Sequence, residues 1–361
     1  MRRLRPVYVF GVLAILLVAL AAQPTYAART GDDTPARRVV QQGNTDDGVF
    51  PNPIADQVFL DGVRHDWQKW NNCGPTTTSM ALSYFGVNIP QLTIASVLKP
   101  NPQDVNVGPD QIVNYIRNQG LGAQVRVNGN RDIIMALLSN NIPVIVEQWI
   151  PEYEGMGHYR LAIGYDKSNG TIMFDDSFYG PNRTWSLDEF EGHWMEFNIN
   201  RIYIPIYRRS QAPLVRAILG ADADDEQMWS RAEAGARANL DAFSDDGHVW
   251  FGLGDALLNE GRTYEALQAY QKAYSLGLPW RYYWYQFGHF EALARLGRWQ
   301  RLLDLTDTVL AKAPMHEEMY FYRGLAYQGL GDSASAREAF NQALANNRNF
   351  DRARVALRSL D

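Results

Sequence analysis

Apolar and polar positions change period along this chain, and the changes divide it. Residues 76–85 carry apolar side chains at helical spacing, with Gly74 and Pro75 at the start and Gly86 just past the end, so a short helix is predicted there. Residues 90–98, 109–119 (closed by Gly120) and 132–139 read as helices too, while 123–127 reads as a strand ending at an Asn128-Gly129 turn. Strand patterns then take over at 143–149, 158–166, 171–174 and 197–207, the second and third joined by the turn Lys167-Ser168-Asn169-Gly170. Helices early and an antiparallel sheet late predict an α+β fold for residues 55–207.

Beyond residue 207 the pattern changes again. Residues 208–225, with Pro213, Gly220 and charged residues towards both ends, read as a linker, and from Glu226 onward no strand signal survives. Gly254, Gly261, Ala266, Tyr270 and Ala273 recur in register as Gly324, Gly331, Ala336, Phe340 and Ala343, and Gly297 lies between the two sets. Helix pairs are expected at 247–276, 281–312 and 315–346, with a lead-in helix at 226–243 and a closing one at 350–360, so residues 226–361 form an all-α array of stacked repeats.

The N-terminus reads as an export signal: Arg2, Arg3 and Arg5, an apolar run over 7–22, and a small-residue exit at Thr25-Tyr26-Ala27. Residues 1–27 are therefore expected to be a signal peptide, or an N-terminal anchor if uncleaved, and 28–54 a disordered spacer. The expected location is extracellular or in the cell envelope, with a membrane as partner only if the segment stays attached. The 361 residues carry 34 Lys and Arg against 40 Asp and Glu, so the net charge is −6. Without a basic tract beyond the extreme N-terminus, a phosphate-neutralising surface is unsupported, and no nucleic-acid partner is expected.

One cysteine, Cys73, is present, and it cannot pair within its own chain. At the start of a predicted helix, a thiol feels the positive end of the macrodipole and unpaired N–H groups, which favour thiolate. His158, at the start of a predicted strand, is a candidate base, and the glycine-containing approach 154–157 ends at Gly157, which can let a substrate come close to the backbone. One hairpin later Asp175 and Asp176 follow a strand, and a carboxylate there can hold the second ring N–H of His158. Consecutive strand residues face opposite ways, so only one of the two serves. His65, His193, His248, His289 and His316 lack metal-ligand spacing and read as solvent-facing or packing side chains; no metal site and no cofactor are expected.

The run WQKWNNCGPTTTSMALSYFG, followed by GHYRLAIGYD and IMFDDSFYGP, resembles the bacteriocin-processing (double-glycine leader) peptidase-like branch of the papain-fold cysteine peptidases. The resemblance covers residues 55–207. It implies a papain-like α+β domain with Cys73 as nucleophile, His158 as base, Asp176 as orienter and Gln68 as oxyanion donor. Asp176 is preferred because Ser177 occupies the turn position that follows the aspartate in that family. Trp67 and Trp70 flank Gln68 and are candidates for a substrate groove; Asn71 and Asn72 serve the turn and helix cap. Those enzymes are typically fused to a transporter domain, which this sequence does not carry, so the chemistry transfers and the substrate does not. The spacing of 34 to 36 residues from Gly261 to Gly297 to Gly331 resembles the tetratricopeptide repeat, although Thr306 and Val309 depart from it in the middle unit.

The expected function is an exported cysteine peptidase cleaving peptide or protein substrates, its repeats docking substrate or a protein partner. Two alternatives are an inactive papain-like and repeat-containing binding module, and an amidase or transpeptidase that uses the same triad.

Overall fold

The structure is a computed structural model that describes residues 55–104, 106–150, 156–197 and 200–360. The expected export segment and spacer, and residues 154 and 155 of the 154–157 approach, lie outside these residues. A short strand β1 (Gln57–Phe59) leads to helices α1 (Cys73–Tyr84), α2 (Gln91–Leu98) and α3 (Pro109–Asn118), then β2 (Gly122–Ala123) and α4 (Arg131–Ser139). The sheet follows as β3 (Val144–Trp149), β4 (Gly157–Asp166), β5 (Thr171–Asp176), β6 (Gly180–Ser186) and β7 (Tyr203–Tyr207), with α5 (Leu187–Phe197) before β7. Every residue of α1 from Gly74 to Tyr84 is buried, as expected of a helix at the centre of a core. Thr77 Oγ1 donates to the carbonyl of Tyr159 at 3.0 Å, which fixes α1 against β4.

All strand pairings are antiparallel, in the order β2-β7-β3-β4-β5-β6, with β1 also pairing with β4. Register shifts between Phe174 and Asp176, where β5 meets β6, turn consecutive residues away from strict alternation. As a result Asp175 and Asp176 are both buried.

Two predicted segments differ. The strand expected over 197–207 is only Tyr203–Tyr207, because Leu187, Phe190, Trp194 and Phe197 bury one helical face and carry α5 as far as Phe197. The expected linker 208–225 is mostly helical: α6 (Ala212–Leu219) sits between short 3₁₀ turns, and Val215, Ile218 and Leu219 join the core of the sheet region. α6 is apolar at every position but Arg216, and the other polar residues of 208–225 lie outside it.

The array comprises α7 (Asp225–Ala242), α8 (Gly247–Asn259), α9 (Thr263–Ser275), α10 (Gly288–Arg295), α11 (Trp299–Leu310), α12 (Glu317–Gly329), α13 (Ser333–Asn346) and α14 (Asp351–Arg358). The repeated small residues work by steric fit. A Cβ on Gly254 would lie 2.6 Å from the Tyr270 ring and one on Gly324 2.4 Å from Phe340, so the helices of each pair approach closely. The middle unit opens with a 3₁₀ turn, Trp280–Trp284, before α10.

Trp149 and Phe197 belong to the array's core, where Trp149 packs on Tyr282 and Tyr285 with ring centroids 6.1 and 6.0 Å apart. Sheet region and array thus share apolar surface. Among the described residues no helix is long and apolar enough to cross a membrane.

Candidate active site

Cys73 is the first residue of α1 and is half-buried. Asn72 occupies the cap position, but its side chain makes no cap bond and donates instead to Gln91 Oε1 at 3.2 Å. The unpaired N–H groups of the first turn therefore face the thiol's end of the helix. β4 places His158 close enough to act on the thiol by charge and hydrogen bonding. On the other side of the ring, His158 Nε2 donates to Asp176 Oδ1 at 2.9 Å. The same oxygen accepts the backbone N–H groups of Phe178 at 2.8 Å and Tyr179 at 2.9 Å, so the turn after β5 locks the carboxylate.

The charges reinforce one another. Burial pushes the Cys73 thiol up, but the hydrogen bond and charge of His158 outweigh it and leave the thiol below its ordinary value. Burial pulls His158 down, while the charge and hydrogen bond of Asp176 raise it above the ordinary imidazole value. Burial also opposes ionisation of Asp176, yet His158 and then Arg160 hold it well below the usual carboxylate range. These directions favour a thiolate–imidazolium pair, whose proton steps belong to the pair and not to either residue.

Gln68 is half-buried, and its Oε1 accepts the Ser177 hydroxyl at 2.8 Å, which leaves the amide nitrogen as the free donor end. Trp67 and Trp70 are exposed, with 56% and 76% of their surface accessible, so they are available to a ligand rather than part of the core. Trp67 stands edge-on to His65 with centroids 5.0 Å apart. Phe178 is 6.2 Å from the His158 ring and extends this apolar rim.

Gly157 needs correction. It is buried, and a Cβ there would lie 2.8 Å from Phe197 and 3.3 Å from Tyr285, so its missing side chain makes room for protein packing and not for a substrate. His65 also departs from the expected packing or solvent role: its Nδ1 lies 2.5 Å from Asp175 Oδ1. The two aspartates thus serve two histidines.

Three site residues escaped the sequence reading. Arg160 is fully buried, with Nε 2.8 Å from Asp176 Oδ2, Nη1 donating to Gln148 at 3.1 Å and the guanidinium 4.5 Å above the Trp185 ring. Its signal was available, since a cation two residues after His158 shares that strand face. Ser177 was noted only as a turn position. Glu147, opposite Tyr159 across β3 and β4, is pushed well above the usual carboxylate value by burial and by the Cys73 charge. Among the described residues no group of His, Cys, Asp or Glu is arranged to hold a metal ion.

A nucleophile at a helix start, a base and a carboxylate in line is an arrangement for acyl transfer. Residues 59–200 match the Peptidase_C39 like family. Residues 247–276 and 317–355 match tetratricopeptide repeat families. The fold is therefore a sheet-containing, papain-like Peptidase_C39-like region followed by helices with tetratricopeptide repeats. No curated protein matches the chain. Among solved structures, the peptidase domain of Streptococcus ComA, described as a bi-functional ABC transporter, aligns at 17% identity over 40% of this chain and 97% of its own, TM-score 0.32. YrrB, described as a TPR protein with an unusual peptide-binding site, aligns at 20% identity over 42% of this chain and 76% of its own, TM-score 0.34. MamA from Desulfovibrio magneticus RS-1 aligns at 19% identity over 37% and 74%, TM-score 0.34.

Proposed function

We propose that the Peptidase_C39-like region is an active cysteine peptidase that works outside the cytoplasm. The observation that carries this reading is the convergence of Cys73, at the start of α1, with His158, whose ring is bonded to the buried carboxylate of Asp176. The Cys73 thiolate attacks a peptide carbonyl carbon, and the resulting oxyanion is held by the Cys73 backbone N–H and the Gln68 amide N–H. His158 gives its proton to the departing amine as the C–N bond breaks and a thioester remains on Cys73. It then takes a proton from water, whose oxygen attacks the thioester and releases the acid and the thiolate. Asp176 fixes the ring and stabilises its positive charge.

Exposed Trp67, Trp70 and Phe178 around this line favour a substrate with apolar or aromatic residues near the cleaved bond. The repeats hold a peptide or protein partner. Digestion of a peptide library by the wild type and by Cys73→Ala tests the reading: cleavage that requires Cys73 and is enriched beside apolar residues supports it, and no Cys73-dependent cleavage of any peptide counts against it.

A further inference from the structure

α2 touches the catalytic turn with one end and the repeat array with the other. At its first residue, buried Gln91 accepts through Oε1 from the Lys69 backbone N–H at 2.8 Å, from Thr76 Oγ1 at 2.9 Å and from Asn72 Nδ2 at 3.2 Å. Its Nε2 donates to Asp66 Oδ2 at 2.7 Å and to the Trp67 carbonyl at 2.9 Å. One carboxamide therefore gathers the turn that bears Gln68 and ends at Cys73. At the other end, the last carbonyls of a helix have no partner within it. Here the array supplies one: Asn349 Nδ2 donates to the Val97 carbonyl at 2.9 Å and Asn347 Nδ2 to the Leu98 carbonyl at 3.1 Å. Asn347 is itself held by Glu317 Oε1 at 2.8 Å. Lys99, next after the helix and 2% exposed, sends its ammonium back to the Asn71 carbonyl at 2.9 Å.

We propose that α2 is the element through which the repeat array sets the catalytic turn, with Gln91 and Lys99 as positioning residues and Asn347 and Asn349 as the array's hold on them. This rests on the peptidase reading above. Asn71 adopts φ +54°, a left-handed conformation that its neighbours must hold, and the Lys99 bond to its carbonyl does so two residues before the nucleophile. Burial pulls the Lys99 ammonium below its ordinary value against the charges of Asp104, Cys73 and the array's Glu317, and its own charge favours the thiolate. A partner that shifts the segment after α13 thereby acts on the nucleophile.

The test uses the full chain, whose single cysteine makes iodoacetamide labelling specific. Labelling rate against pH is measured for the wild type, His158→Ala, Lys99→Met, Lys99→Arg and the double variant Asn347→Ala, Asn349→Ala, with circular dichroism to confirm folding. Coupling predicts that Lys99→Met and the double variant raise the labelling midpoint by about half a unit or more, roughly a threefold loss of thiolate at a fixed lower pH, and that Lys99→Arg restores it. A folded double variant with the wild-type profile overturns the proposal. If the double variant does not fold, the lysine pair decides, and equal profiles for Lys99→Met and Lys99→Arg overturn it. A wild type that itself labels as an ordinary thiol, unmoved by His158→Ala, defeats the peptidase reading instead.

Discussion

Ser177 and Gln68 hold each other: the Ser177 hydroxyl donates to Gln68 Oε1 at 2.8 Å, and the Gln68 backbone N–H donates to the Ser177 carbonyl at 3.0 Å. The end of β5, which aims Asp176, thus also aims the Gln68 amide, the oxyanion donor of the proposed mechanism. Gln68→Ala is expected to lower kcat by about 10²–10³-fold, the usual cost of one oxyanion donor. Ser177→Ala leaves the amide in place but unaimed and should cost less. In both variants the pH profile of Cys73 labelling should stay as in the wild type, because neither touches the thiolate–imidazolium pair.

Removing Arg160 leaves the buried Asp176 carboxylate without its second ion-pair partner. Arg160→Met is expected to destabilise the fold by about 3–5 kcal/mol, the range for breaking a buried pair, measured by urea unfolding at pH 7. Asp176 is depressed in the folded state, so its stabilising contribution is present above the unfolded carboxylate value near 3.8 and is lost as pH falls through the lower folded value. Asp176→Asn should therefore flatten the acid limb of the stability curve below about pH 4 while abolishing most activity.

The joint between array and peptidase-like region titrates the opposite way. Burial and the Glu318 charge push Glu317 up to about 7. Its contribution is full below the unfolded value of 4.5 and disappears as pH rises through about 7, on the order of 3 kcal/mol. His316 adds the same sign: burial pulls it down, but Glu318 holds it above its ordinary value, so its stabilisation is lost as pH rises through that folded value. Thermal stability should fall between about pH 5 and 8, and Glu317→Gln, which keeps the acceptor for Asn347, should remove most of the slope.

Gly157→Ala distinguishes packing from substrate approach. A methyl group meeting Phe197 at 2.8 Å predicts a loss of about 1–3 kcal/mol in unfolding experiments, with KM for any cleaved peptide unchanged.

Legibility in the sequence followed the range of each interaction. Helix periodicity, the start of α1 and the repeat spacing are local patterns, and they foretold the fold class together with most helices of both regions. β6 did not show itself because it is largely solvent-exposed and lacks an apolar face. The 187–197 segment has its helical spacing in plain view, but a single strand over 197–207 absorbed its last residue. Beyond the Cys73, His158 and Asp176 set, contacts across long separations were not legible: His65 meets Asp175 at a separation of 110 positions, and Asn347 reaches Leu98 across 249. Arg160 was the avoidable omission, since strand alternation alone puts it beside His158.

The most direct measurement of the central claim is the rate of Cys73 alkylation against pH in the wild type and in His158→Ala. An activated pair predicts rapid labelling well below the ordinary thiol value of 9.0, because His158 draws the thiol down, and a loss of that acid-side labelling in the variant. Slow labelling with an ordinary thiol midpoint in both proteins would contradict the account.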